Sequence, residues 1–145
     1  MADLWSPASD PYTVQLRAIL DALEAHVALI DRHGQIQEVN RSWRRFAVDN
    51  GLTDRSYGVG GNYLTVCDTS TGDCSDEAVA VARGIRAVLD GVLQRFAVEY
   101  PCHSPTEQRW FRCVVTPVGK GTDITGAVIM HVNVTDTILA AKATA

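Results

Sequence analysis

The stretch from residue 95 to residue 134 constrains the fold of this chain more than any other part of it. It holds three runs of period-two alternation. Residues 95–100 place Phe96, Val98 and Tyr100 on one face. Residues 109–116 set Trp110, Arg112 and Val114 against Phe111, Cys113 and Val115, and residues 125–134 set Val128, Met130, Val132 and Val134 against Ile129, His131 and Asn133. Alternation of this kind marks strands with one face buried. The connections are too short for the helical crossover that parallel neighbours need, so the strands run antiparallel. Earlier in the chain, residues 26–31 and 35–39 flank Arg32-His33-Gly34, a strand–turn–strand signal. Together these strands predict an α+β fold with one five-stranded antiparallel sheet.

The remaining apolar residues follow helical spacing. Residues 73–93 give the clearest helix, with Ala78, Val81, Ala82, Ile85, Leu89 and Val92 on one face. Asp76 and Glu77 suit the positive end of its dipole. Asn40 is placed to cap a second helix whose apolar face is Trp43, Phe46 and Ala47, with Gly51 as its stop. Residues 52–71 are rich in Gly, Asp, Ser and Thr around an apolar island at residues 63–67, and predict short helical turns. Apolar stripes must be buried, so the helices are expected on one sheet face, leaving room for a cavity between the layers. Residues 11–25 carry Leu16, Ile19, Leu20 and Leu23 on a stripe that docks on the chain's own sheet or on a second copy. The expected organisation is a flexible tail (1–10), a flanking amphipathic helix (11–25), a core domain (26–136) and the start of a C-terminal helix (137–145), capped by Thr135 or Asp136.

Composition narrows the function. A chain of 145 residues fits one core. Thirteen basic against seventeen acidic residues, a formal charge of −4, argue against a nucleic-acid partner. No apolar run approaches the roughly 20 residues of a membrane helix, and the N-terminus lacks the pattern of a signal peptide. The expected compartment is the cytoplasm. There Cys67, Cys74, Cys102 and Cys113 are expected as reduced core thiols, with a Cys67–Cys74 bridge and a Cys102–His103 metal site as alternatives. Nucleophile-elbow, phosphate-loop and dinucleotide motifs are absent, so no enzyme is expected.

Four segments carry a family resemblance. They are residues 28–36 (Ala-Leu-Ile-Asp-Arg-His-Gly-Gln-Ile), Val39-Asn40-Arg41-Ser42-Trp43, Gly60-Gly61-Asn62-Tyr63-Leu64, and the block from Trp110-Phe111-Arg112 to His131-Val132-Asn133-Val134-Thr135-Asp136. Their content and order over residues 26–136 resemble a PAS domain. The resemblance implies a sensory or interaction domain of signal transduction, of the kind found in two-component systems. In the light-sensing LOV branch of the family, the flavin-reactive cysteine follows the Asn of the Gly-x-Asn segment. Tyr63 stands there, and Arg112 stands where a flavin-holding asparagine is expected, so a working photosensor is not predicted. Haem-binding members usually take their iron ligand from the long helix, and residues 75–93 contain no His, Cys or Met. No cofactor is required by this reading; flavin and haem are kept as alternatives.

The expected ligand-binding residues are His131, Tyr63, Asn133, Trp43, Phe46, Arg112 and Phe111. His131 leads because an imidazole facing a cavity can hydrogen-bond a ligand or titrate near neutral pH. Expected partners are a small molecule, a second copy through the N-terminal helix, and an effector such as a kinase or transcription regulator, in cis or in trans. The alternatives are a ligand-free interaction module and a redox sensor built on thiols or a flavin.

Overall fold

The computed structural model describes residues 10–49, 58–69 and 75–144, and only the backbone of residues 75 and 76. Its elements run α1 (Pro11–Ala22), β1 (His26–Asp31), β2 (Ile36–Val39), α2 (Arg41–Asp49), α3 (Tyr63–Asp68), α4 (Ser75–Leu89), β3 (Phe96–Pro101), β4 (Trp110–Val118), β5 (Gly126–Asn133) and α5 (Thr135–Thr144). The strands make one five-stranded antiparallel sheet in the order β2-β1-β5-β4-β3. The last strand therefore lies in the middle, with His26 of β1 opposite His131 and Cys113 of β4 on its other side. Residues 1–9, Gly51, Cys74 and residues 52–57, 70 and 71 of the predicted loop lie outside the described residues.

Asp31 and Gly34 form the first hairpin. The Asp31 carboxylate accepts the backbone N–H groups of His33 (2.8 Å) and Gln35 (3.0 Å), and Gly34 takes φ 88° to close the turn. The turn is then joined to the segment leading into α3. Gly34 O accepts Tyr63 N–H at 2.8 Å, Asn62 Nδ2 donates to His33 O at 2.9 Å, and Asn62 Oδ1 caps α3 at Thr65 N–H. These bonds fix where Tyr63 starts.

Asn40 is a second local anchor and, among the described residues, the only buried polar one, 2% exposed. It caps α2 by accepting Trp43 N–H at 3.0 Å, as its position predicts. The same oxygen accepts Val27 N–H, and Nδ2 donates to Leu20 O and Ala25 O at 2.8 and 2.9 Å. One side chain thus joins the end of α1, the start of β1 and the start of α2.

The core lies between α4 and the sheet. Val81, Ala82, Ile85 and Val88 of α4 pack on Ala28, Ile30, Cys113, Val115, Ala127 and Ile129. The predicted face needs one correction: Val88 replaces Val92, which is 76% exposed. Gly91, at φ 77°, ends the helix: Val92 N–H reaches back to Ala87 O and Gly91 N–H to Val88 O, so the chain turns away before Val92 can join the stripe.

The flanking elements narrow two expectations. Of the two docking sites expected for the α1 stripe, its own sheet is not the one used within the chain: α1 contacts α2 and contains no buried residue. α5 begins at Thr135 rather than after it. Thr135 Oγ1 accepts Trp110 N–H at 3.0 Å, and Asn133 Oδ1 accepts Thr135 N–H. Among the described residues, no helix is long and apolar enough to cross a membrane.

Candidate functional site

A cavity of about 390 Å³ opens between α2, α3 and the sheet, beyond the end of the α4 core. Period-two alternation aims Phe111, His131, Tyr100 and His26 into it from four strands, and helical spacing aims Trp43, Phe46 and Ala47 into it from α2. The apolar face of α2, from which Trp43 and Phe46 are expected at a ligand site, lines this space. An adjoining recess of about 190 Å³ shares Tyr63, Val66, Tyr100, Cys102 and His131 with the cavity and adds Glu77, Ala78 and Val81 of α4.

His131 is held from both sides. The Tyr63 hydroxyl lies 2.9 Å from Nε2 and the Tyr100 hydroxyl 2.6 Å from Nδ1. Burial, aided by nearby His26, pulls its pKa down from 6.5 to about 4, so the ring is neutral at physiological pH. A neutral imidazole donates from one nitrogen and accepts at the other, so one tyrosine donates to the ring and the other accepts from it. The expectation of titration near neutral pH is corrected accordingly: no charge partner offsets the desolvation. Both ring nitrogens are engaged, which does not suit an iron ligand.

The fold matches solved structures. The PAS domain of a Colwellia psychrerythraea protein superposes with a TM-score of 0.57 at 15% identity, covering 85% of this chain and 98% of that one. The chain folds as a PAS domain. The sensor region of a sensor histidine kinase also superposes (TM-score 0.57, 18% identity, 77% of this chain and 40% of that one). So does a phage VqmA–DPO complex (TM-score 0.60, 17% identity, 94% and 59%). No protein-family model matches the sequence. In sequence, an uncharacterised 104.1 kDa protein encoded in the hypE 3′ region of Rhodobacter capsulatus is 41% identical over 122 residues. That alignment takes in 83% of this chain and 13% of the relative, so the chain spans a small part of the relative's length.

Within this PAS domain, five of the residues singled out from the sequence meet at the cavity: His131, Tyr63, Trp43, Phe46 and Phe111. Arg112 and Asn133 do not. Arg112 follows Phe111 on a strand and so faces the opposite side, where it pairs with Glu99 across the hairpin at 3.0 Å. Asn133 shares the parity of His131, but β5 ends there and its side chain turns to the backbone entering α5. Sequence reasoning missed His26, Tyr100, Cys102 and Glu77. Tyr100 had a signal, since it alternates with Phe96 and Val98. His26 is brought in by the β1–β5 register, which no local pattern encodes.

A positive charge lies over two of the cavity's rings without lining the space itself. The Arg109 guanidinium lies 5.4 Å from the Phe46 ring centre and 5.9 Å from that of Phe111, and its Nε donates to Cys102 O. Burial, then the positive charge of Arg109, lowers the pKa of His26. Two buried thiols are quiet. Burial pushes Cys67 up to about 11 and Cys113 up to about 12, so neither is a thiolate at neutral pH. Among the described residues, no cluster of three or more His, Cys, Asp or Glu side chains is placed to hold a metal.

Proposed function

We propose that this PAS domain is a sensory input domain that holds a small molecule in the aromatic cavity and reports its presence through α5 to an effector, such as a kinase or transcription regulator, in cis or in trans. The observation that carries this reading is the placement of Trp110. Its chain neighbour Phe111 lines the cavity, while Trp110 itself holds the start of α5. Its N–H donates to Thr135 Oγ1, its carbonyl accepts Val134 N–H at 2.9 Å, and Lys142 Nζ lies 4.6 Å from its ring centre. A ligand that shifts Phe111 or His131 moves the strand to which α5 is tied. The fold neighbours named for a sensor kinase and for a VqmA–DPO complex support a signalling role.

Native mass spectrometry of the purified protein, followed by hydrogen exchange before and after the bound mass is removed, tests the reading. A bound mass whose removal speeds exchange in residues 135–144 is expected. Thr135→Val, which deletes the acceptor for Trp110 N–H, should speed exchange there by about fivefold, the worth of one net hydrogen bond. No bound mass, together with α5 exchange unaffected by Thr135→Val, would favour the ligand-free interaction module.

One observation supports dimerisation alongside sensing. Leu16 and Ile19 of α1 and Leu23 just after it are 45%, 59% and 41% exposed, and on the outer sheet face Leu29 is exposed and Val128, Met130 and Val132 are half-buried. Among the described residues nothing covers these two apolar surfaces, and a second copy would cover both. Leu16→Glu with Ile19→Glu is expected to convert a dimer to a monomer in light scattering, at unchanged far-UV circular dichroism. These positions are chosen over Leu20, which is half-buried and whose backbone carbonyl holds Asn40. A dimer that survives both substitutions places the interface elsewhere.

A further inference from the structure

Glu77 sits at the first turn of α4 and lines the recess that continues the aromatic cavity. Its Oε2 is sealed from solvent and has no hydrogen-bond partner among the described residues, and no other described side-chain polar atom is left in that state. A buried oxygen of this kind costs stability unless something donates to it. Nothing lining the recess offers a permanent positive charge: among the described residues, no Lys or Arg lines either space, and His131 is neutral with both nitrogens engaged. The larger space is lined by the rings of Trp43, Phe46, Tyr63, Tyr100 and Phe111. Ring faces accept other aromatic rings and, through their negative quadrupoles, cations.

We propose that the cavity selects an aromatic molecule carrying an N–H or ammonium donor, that Glu77 Oε2 receives this donor, and that aromatic carboxylates are excluded. The proposal deepens the reading of the cavity as a small-molecule site and rests on it. Apolar contact with the rings supplies binding that any aromatic shares. Glu77 supplies the discrimination, because a donor meets an oxygen that is otherwise unpaired, whereas a carboxylate meets it with like charge and, among the described residues, no cation lining the recess to offset it; Arg109 lies behind the Phe46 and Phe111 rings.

Three probes that share a phenyl ring and differ in the end group test this on the full chain: phenethylamine, propylbenzene and phenylacetate. Protein-observed NMR titration at pH 7.4 reads both affinity and location, with Trp43, Phe111 and His131 as reporters. Phenethylamine is expected to bind about tenfold or more tighter than phenylacetate, the size of a charge-assisted hydrogen bond gained against a like-charge contact. Glu77→Gln is expected to weaken phenethylamine by about tenfold while leaving propylbenzene within about twofold. Equal binding of all three, with shifts at the reporters, overturns the selectivity and leaves the cavity reading standing. A preference for phenethylamine that persists in Glu77→Gln overturns the role of Glu77. Should none of the probes shift the reporters, both the proposal and the cavity reading fail. The series on the unsubstituted chain stands even if Glu77→Gln does not fold.

Discussion

Asn40→Ala is expected to lower the free energy of unfolding by about 3–5 kcal/mol, a large share of the roughly 5–15 kcal/mol that holds a domain together. The side chain makes four bonds to backbone: it accepts from Val27 and Trp43 and donates to Leu20 and Ala25. Alanine removes all four and leaves Val27 N–H unmet in a buried place. Losing a helix cap alone costs about 0.5–2 kcal/mol, and each buried orphan adds roughly 1–3. Asn40→Asp separates the two halves of the network. It keeps both acceptor bonds but turns an oxygen towards the carbonyls of Leu20 and Ala25, which then have no donor. That variant should be strongly destabilised at pH 7 and should recover part of the loss as the introduced carboxyl is protonated, since the acid form restores one donor. Urea denaturation at several pH values reads both effects. A loss below about 1 kcal/mol for Asn40→Ala would mean that water replaces the side chain at these sites.

Acid should unfold the protein partly through His131. Its ordinary pKa of 6.5 applies to the unfolded chain, and burial holds it to about 4 in the fold. Between those values the unfolded chain takes up a proton that the folded chain refuses. Stability is therefore full above about pH 6.5, falls as pH drops towards 4 and is flat in this term below that. The shift corresponds to about 3 kcal/mol, to order of magnitude. His26 acts in the same direction, since its pKa is also lowered. Carboxylates titrate in the same window, so the measurement is a difference: stability against pH for the natural chain minus that for His131→Phe. The variant's absolute stability is free to change, because the Tyr63 and Tyr100 hydroxyls lose their shared partner. What must change is the slope, which should be shallower between pH 6.5 and 4. Parallel profiles would show that the ring titrates in the fold near its unfolded value, so that burial does not hold it neutral.

Both predictions turn on residues that were visible in the sequence and on partners that were not. Asn40 was legible as a cap because it stands just before a helical apolar face, and a cap bond spans only three residues. Its bonds to Val27, Leu20 and Ala25 span 13 to 20 residues and depend on how α1 returns to the sheet. His131 was legible as an inward residue from the parity of β5. Its two tyrosine partners come from α3 and β3, 68 and 31 residues away. Arg112 shows the opposite case. Its neighbour Phe111 faces the cavity, and alternation alone already placed Arg112 on the other side.

The order of elements, the five strands and their α+β class follow from local rules: period-two runs, helical spacing, Asp31 and Gly34 at a turn, Gly91 past a helix. Each of these acts over a few residues and is written where it acts. The position of β5 between β1 and β4 is not, because strand pairing distant in sequence is decided by which faces bury best together. That pairing places His26 beside His131 and brings Trp110 to the start of α5. Whether the apolar face of α2 fills a core or lines a cavity was likewise a tertiary decision. Trp43 and Phe46 satisfy the same spacing in either case, and only the distance at which α2 stands from the sheet leaves the space between them.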